Sequence, residues 1–233
     1  MKNRKLAIIP ARGGSKRIPK KNIKDFFGKP IIAYSIETAI KSKLFDEVMV
    51  STDNEEIAEV SKKYGAKVPF MRNAKNADDY AGLPEVIIEV LNKYKINNKQ
   101  KFDFVCCILP TAPLISKKRL IEGYNIIKSK RYSTVTPVVE FSYPILRSLK
   151  FDNDNHLVMN WPQYLNYNTQ DLSKSYHDSG MFYWVDYKNF IKERNLFSNN
   201  GTGIILDEME VQDIDSNADW KLAELKYKLQ TIK

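Results

Sequence analysis

Short, continuous apolar runs alternate with segments of helical periodicity along most of this chain, and that alternation restricts the fold more than any other feature. Leu6-Ala7-Ile8-Ile9-Pro10 contains no polar position. A strand covered on both faces reads this way, whereas a strand with one wet face alternates. Residues 48–51, 67–71, 102–109, 133–139 and 181–185 repeat the theme, and 102–109 is the most apolar of them. Between these runs, residues 31–40, 54–64, 85–94, 117–128 and 186–195 place apolar side chains at helical spacing. Pro30 is expected in the first turn of the first helix, and Gly65 as the stop of the second. Short strands near Ile204 and Val211 and a last helix over 217–229 complete the reading. Strands and helices in this rhythm imply βαβ units, a mostly parallel Rossmann-like sheet and right-handed crossovers. Ligands of such α/β folds gather at the carboxyl ends of the strands.

The rhythm breaks between residues 140 and 178. Tyr143, Trp161, Tyr164, Tyr167 and Tyr176 lie there with Pro144 and Pro162, and no helical period runs through them. The chain has 233 residues, 43% of them hydrophobic. That suits one domain over 1–233 with an extended excursion at 140–178 better than two full domains. No apolar stretch is long enough to span a membrane, and the one behind the basic N-terminus ends at Pro10, too soon for a signal peptide. Cys106 and Cys107 are neighbours in an apolar strand and point to opposite faces, so they are not expected to pair, which fits a cytoplasmic protein. The net charge of +9 raises nucleic acid, anionic membranes and anionic small molecules as partners. Aromatic residues are not interleaved with the cations as an RNA-binding face would require, and an anionic small molecule is the expected partner.

Arg12, Lys16, Arg17, Lys20, Lys21 and Lys24 crowd one segment around Gly13-Gly14-Ser15, directly after the first strand. Two glycines permit positive φ, so successive N–H groups of Gly13 and Gly14 could turn around an anion, with the Ser15 hydroxyl as a further donor. Arg12, Lys16 and Lys21 would neutralise a polyphosphate. The spacing is neither a Walker loop nor a dinucleotide fingerprint, and a tight, solvated basic turn is the competing reading. Near the end, Asp213-Ile214-Asp215 reads as a strand with both carboxylates on one face and Ile214 behind. Few hard oxygen ligands completed by phosphate and water suit Mg²⁺. The alternative is a helix cap, a role that Ser216-x-x-Asp219 fills as a capping box. Asp53-x-x-Glu56 reads as another capping box, which is preferred to a ribose contact for Asp53.

The run from Ile8 to Asn22, Ile-Ile-Pro-Ala-Arg-Gly-Gly-Ser-Lys-Arg-Ile-Pro-Lys-Lys-Asn, resembles the N-terminal signature of the acylneuraminate-type cytidylyltransferases. The resemblance implies a nucleotidyltransferase-type fold and a cradle for the triphosphate of CTP built from Ala11 to Lys16. It puts Arg12 and Lys21 on the reacting phosphates and Asn22 near the nucleoside. Arg72 resembles the base-side arginine of the family, with a surface cation as the alternative. Val211 to Asp215 followed by Asp219-Trp220 resembles the family's metal motif, which implies Mg²⁺ on Asp213 and Asp215. Within the excursion, Phe141-Ser142-Tyr143-Pro144, Trp161-Pro162-Gln163-Tyr164 and Ser175-Tyr176-His177-Asp178-Ser179-Gly180 resemble the pseudaminate branch. Leu109 stands where sialic acid enzymes usually carry glutamine, which favours a deoxy sugar. One departure from the family pattern is Ala81-Gly82-Leu83-Pro84-Glu85 after Asp78-Asp79.

The implied reaction is transfer of CMP from CTP to a nonulosonic acid, with pseudaminic acid first and sialic or legionaminic acid as alternatives. His177, Asp178 and Tyr183 are expected at the sugar, although a purely structural His177 is the competing reading. The family also implies a homodimer through the excursion, with neither nucleic acid nor membrane as a partner. A nucleotide-binding regulator without catalysis is the rival outside the enzymes. The presence of Arg12, Lys21, Asp213 and Asp215 argues against it.

Overall fold

The computed structural model describes residues 3–78, 81–97, 99–129 and 131–231. The chain opens with β1 (Lys5–Pro10), a small hairpin of β2 (Asp25–Phe26) and β3 (Lys29–Pro30), then α1 (Ile32–Lys41), β4 (Glu47–Ser51) and α2 (Glu55–Lys63). It continues through α3 (Leu83–Asn97), β5 (Phe104–Ile108), α4 (Lys117–Ile127) and β6 (Thr134–Glu140). After the hairpin of β7 (Leu149–Phe151) and β8 (Leu157–Met159) come β9 (Tyr176–Asp178), β10 (Phe182–Asp186), α5 (Tyr187–Glu193), β11 (Gly201–Leu206) and α6 (Asn217–Thr231).

Among the described residues the main sheet has seven strands, in the order β11-β6-β10-β5-β1-β4 with β9 paired to β6. β1 runs parallel to β4 and β5, and β11 parallel to β6, while β9 and β10 run antiparallel to their neighbours. The sheet is therefore mostly parallel, as the alternation predicts. The apolar text of β1 follows from its place: all six residues are buried. Ala7 and Ile9 face the layer of α1, α2 and α4, whereas Leu6 and Ile8 face α3 and α5. Each large side chain so buried contributes roughly 1.5–3 kcal/mol. Cys106 and Cys107 divide between the same two layers and remain free thiols. Burial pushes the Cys107 thiol up to about 12, so both are packing residues.

Three details depart from the sequence reading. Residues 67–71 do not extend the sheet. They make a single parallel bridge from Lys67 to Met49, and Pro69, which has no N–H, cannot continue the ladder. Pro30 ends β3 rather than entering α1. The chain reaches it through Phe27 and Gly28, both at positive φ, which is hairpin-turn geometry that an aromatic residue does not advertise. Val211 and the segment Asp213-Ile214-Asp215 lie outside any strand. A capping box of Asp207 with Glu210 starts a short 3-10 turn immediately before them. The excursion is anchored in the sheet at both ends, since Glu140 closes β6 and Tyr176–Asp178 pairs back onto it as β9.

A third, smaller cluster of buried residues sits beside the sheet. Ile18 from the basic loop, Phe26, Ile31 and Tyr34 from the β2–α1 region, and Ile214, Trp220 and Ala223 from the chain end pack together there. This cluster ties the basic loop after β1 to the acidic segment nearly two hundred residues later, and that junction lies at the carboxyl ends of the parallel strands.

Candidate active site

β1 ends at Pro10, and Ala11, fully buried, donates its N–H to Ser51 O at 2.9 Å. The chain then turns across the sheet edge. Arg12, Ser15, Lys16, Lys21 and Asn22 line a cleft of about 380 Å³, whose other wall is Pro110, Thr111 and Asp215. Five of the sequence-predicted loop residues are thus brought together, and Arg17 joins them. Asn22 is buried and braces the loop from beneath, donating to Arg12 O at 2.9 Å. The Arg12 guanidinium reaches across to Asp78 O at 2.9 Å.

The glycines play a different part from the expected one. Neither Gly13 nor Gly14 lines the cleft, and neither has a positive φ; the left-handed residue of this loop is Lys20, at φ 51°. The Gly13 N–H donates to Asp53 Oδ1 at 2.9 Å, and Ser15 N–H to Gly13 O at 2.9 Å, so these donors are spent within the protein. Gly13 is small for a steric reason instead, since a Cβ there would lie 3.0 Å from the Asn54 Cβ. The positive charge that lines this cleft is carried by the side chains of Arg12, Lys16, Arg17 and Lys21. The expected cap is also displaced by one residue: Asn54, not Asp53, caps α2 by accepting Ile57 N–H.

Ile214, fully buried, fixes the acidic segment from below. Asp219 holds it from the start of α6. Its carboxylate accepts Ser216 N–H at 2.7 Å and Asp215 N–H at 3.1 Å, and Ser216 Oγ accepts Asp219 N–H in return, the expected capping box. These bonds, with that from the Ser216 hydroxyl foremost, hold the Asp219 carboxyl below the ordinary range. Lys21 Nζ donates to Ile214 O at 2.6 Å and lies 3.6 Å from Asp215 Oδ1, while Arg17 Nη2 contacts the same oxygen at 2.9 Å. The two aspartates do not share one pocket as a strand would arrange them. Asp215 lines the basic cleft, and Asp213 lines a second one of about 230 Å³ with His177, Phe141 and Lys226. Although Asp213 reaches solvent, surrounding protein desolvates it. That burial, followed by the negative charge of Asp215, raises its pKa, against the pull of Lys21.

Asp178 and Tyr183 form a bonded pair behind this second cleft. The Tyr183 hydroxyl donates to Asp178 Oδ2 at 2.5 Å, and Gly180 N–H to Asp178 Oδ1 at 3.0 Å. Burial first, then this bond, raises the Tyr183 pKa. His177 does not join them through its ring: its Nδ1 lies 2.9 Å from Asp178 O, and the ring packs on Phe141. Gly180 is needed where it is, because its φ is +62° and a Cβ would come within 3.1 Å of Asp213 Cγ. Leu109 packs on the core, with its carbonyl accepting from Ser35 Oγ, and lines neither cleft.

Arg72 lies apart from both clefts. It is buried, with Nε donating to Ser51 Oγ at 3.0 Å and Nη2 to Ser51 O. Burial lowers its pKa, and the charges of Asp53 and Glu89 oppose that shift. In the departure loop, Ala81 N–H bonds Asp78 Oδ1 at 2.7 Å and α3 already begins at Leu83; Asp79 lies outside the described residues.

Residues 6–172 match the sequence model of a family described as cytidylyltransferase. The chain belongs to the cytidylyltransferase family. It is 43% identical over 229 residues to the pseudaminic acid cytidylyltransferase of Campylobacter jejuni, across 98% of this chain and 97% of that one. It is 33% identical to the CMP-N,N'-diacetyllegionaminic acid synthase of Legionella pneumophila, across 94% of each. In fold it is similar to a CMP:2-keto-3-deoxy-manno-octonic acid synthetase solved with CTP, at a TM-score of 0.68 and 17% identity, covering 99% of this chain and all of that one. For a cytidylyltransferase, three residues here escaped the sequence reading. Arg17 was visible in the loop but undistinguished among its cations. Lys226 interrupts an apolar helix face, which is the one local signal of a buried lysine. Thr111 carries no signal beyond its place after a strand.

Proposed function

We propose that this cytidylyltransferase transfers CMP from CTP to the anomeric hydroxyl of a nonulosonic acid, with pseudaminic acid as the preferred acceptor, and releases pyrophosphate. The observation that carries the reading is the cleft that gathers Arg12, Lys16, Arg17 and Lys21 opposite Asp215. Four cations facing one carboxylate suit a triphosphate, whose charge they neutralise, and not a neutral ligand. The anomeric oxygen attacks the α-phosphorus of CTP as the bond to the pyrophosphate oxygen breaks. Arg12 and Lys21 stabilise the charge that grows on the non-bridging oxygens, and the cleft holds the reactants in line. The full-length similarity to the Campylobacter jejuni enzyme supports pseudaminic acid. The apolar Leu109 and the paired Asp178 and Tyr183 would set the sugar side, with His177 on its rim. Arg72 resembles the base-side arginine of the family, and here it would act indirectly, through its bonds to Ser51 at the end of β4.

The donor chemistry of Asp213 and Asp215 fits Mg²⁺. Among the described residues no group of three or more His, Cys, Asp or Glu is placed to hold a metal, so the protein offers a partial set. Mg²⁺ is characteristically held by one or two carboxylates, with substrate phosphates and water completing it. The pKa of Asp213, raised by burial and by its like-charged neighbour, is the kind of penalty a divalent cation relieves. When bound, Mg²⁺ would supply charge neutralisation at the phosphates.

The exposed apolar side chains of the excursion, among them Tyr143, Phe151, Leu157 and Leu165, support a homodimer formed through residues 140–178. No helix among the described residues is long and apolar enough to cross a membrane, and the free buried thiols suit the cytoplasm. Light scattering and a metal titration test these elements together. A dimer whose CTP-dependent turnover is lost in EDTA and in Asp215→Ala is expected; a fully active monomer, or turnover indifferent to EDTA, refutes them.

A further inference from the structure

Asp53 stands beside the loop of the CTP cleft with a contact that neither helix capping nor the proposed chemistry absorbs. It follows β4, and since Asn54 caps α2, its carboxylate is released for a partner forty residues away. That partner is the Gly13 N–H, at 2.9 Å. The charge of the buried Arg72 attracts the same carboxylate. Gly13 also presses on Asn54 closely enough to exclude a Cβ. The loop thus turns its glycine side toward the β4–α2 junction. Arg12 before the glycines, and Ser15 and Lys16 after them, line the cleft.

We infer that Asp53 is a positioning residue for the nucleotide: its bond to Gly13 fixes the loop backbone and thereby the direction in which Arg12, Ser15 and Lys16 project. The inference rests on the reading of that cleft as the triphosphate site. Two effects of the carboxylate oppose each other. It repels a triphosphate, and it orders the loop that binds one. The cations of Arg12 and Lys16, which line the cleft, and the attraction of Arg72 for the carboxylate offset the repulsion. The bond to Gly13 is direct and charge-assisted, about twice as strong as a neutral one. Ordering wins.

Calorimetric titration of the full chain with CTP, alongside steady-state kinetics, tests this. Asp53→Ala is expected to weaken CTP binding about tenfold, the loss of one such bond. It should raise KM for CTP by a similar factor and leave KM for the sugar within about twofold. Asp53→Asn keeps an accepting oxygen and should bind CTP within about threefold of wild type. Should Asp53→Ala not fold, Gly13→Ala displaces the same backbone against Asn54 and is expected to weaken CTP binding likewise. CTP binding that is unchanged or tighter in Asp53→Ala overturns the inference. So does unchanged binding in Gly13→Ala, or an Asp53→Asn variant as impaired as Asp53→Ala, since charge would then be the operative property. Folded wild-type protein that binds no CTP would instead refute the reading of the cleft.

Discussion

Lys226 offers a direct test of how the acidic segment is held. α6 buries this lysine at 7% exposure, and its Nζ donates to Glu208 O at 2.8 Å and to Val211 O at 2.7 Å. Those carbonyls belong to the turn that delivers Asp213. Lys226→Met keeps most of the stem volume and removes both donors. Each bond from a charged donor is worth about 1.5–3 kcal/mol, but burying the ammonium costs several kcal/mol. The net loss is about 2 kcal/mol, which for a chain of this length lowers Tm by about 4–8 °C. Because Asp213 moves with the turn, turnover should fall about tenfold as well. The pH dependence has a definite sign. Burial holds the Lys226 pKa below its ordinary value, with Glu208 and Asp207 opposing, so across that alkaline window the unfolded chain binds the extra proton. Wild-type stability from this group therefore rises with pH, and the gap to Lys226→Met widens. Thermal unfolding from neutral to alkaline pH measures it. A variant as stable as wild type at neutral pH would mean that desolvation outweighs both bonds and would refute the reasoning.

Two further outcomes follow from the same charges. Asp213→Asn should raise Tm at neutral pH while abolishing turnover, because the raised pKa of Asp213 means that its ionised form destabilises the fold. The folded chain retains that proton longer, so the advantage of the variant grows as pH rises through the raised pKa and vanishes in acid; a lower Tm at neutral pH would contradict it. Arg12→Ala should lower kcat about 100-fold, the effect of losing one charge-stabilising donor, and an effect confined to KM for the sugar would move Arg12 to the other substrate.

The sequence made the sheet legible because strands buried on both faces leave unbroken apolar text. The run at 102–109 contains β5, and the helix expected at 117–128 is α4 to within a residue. It was poorest where a distant partner decides between local options. Asp53 and Asn54 are equally good caps, and only Gly13 selects between them. Gly13 itself looked like a phosphate-cradling glycine, yet its size answers to Asn54. The Asp-Ile-Asp alternation imitates a strand, but the period arises because Ile214 alone inserts into the side cluster. The loop of cations was legible as a site because its residues are contiguous. Asp213 comes from a segment far from Asp178 and Tyr183, and its approach to Gly180 between them could not be read from spacing.

The central claim is cytidylyl transfer to a nonulosonic acid, and pyrophosphate release measures it most directly. Purified protein with Mg²⁺ should release pyrophosphate only when CTP and a nonulosonic acid are both present, with a CMP-linked sugar formed in equal amount. The kcat/KM for pseudaminic acid should exceed that for sialic acid. No release with any of these sugars would contradict the account, and a preference for sialic acid would overturn its choice of substrate.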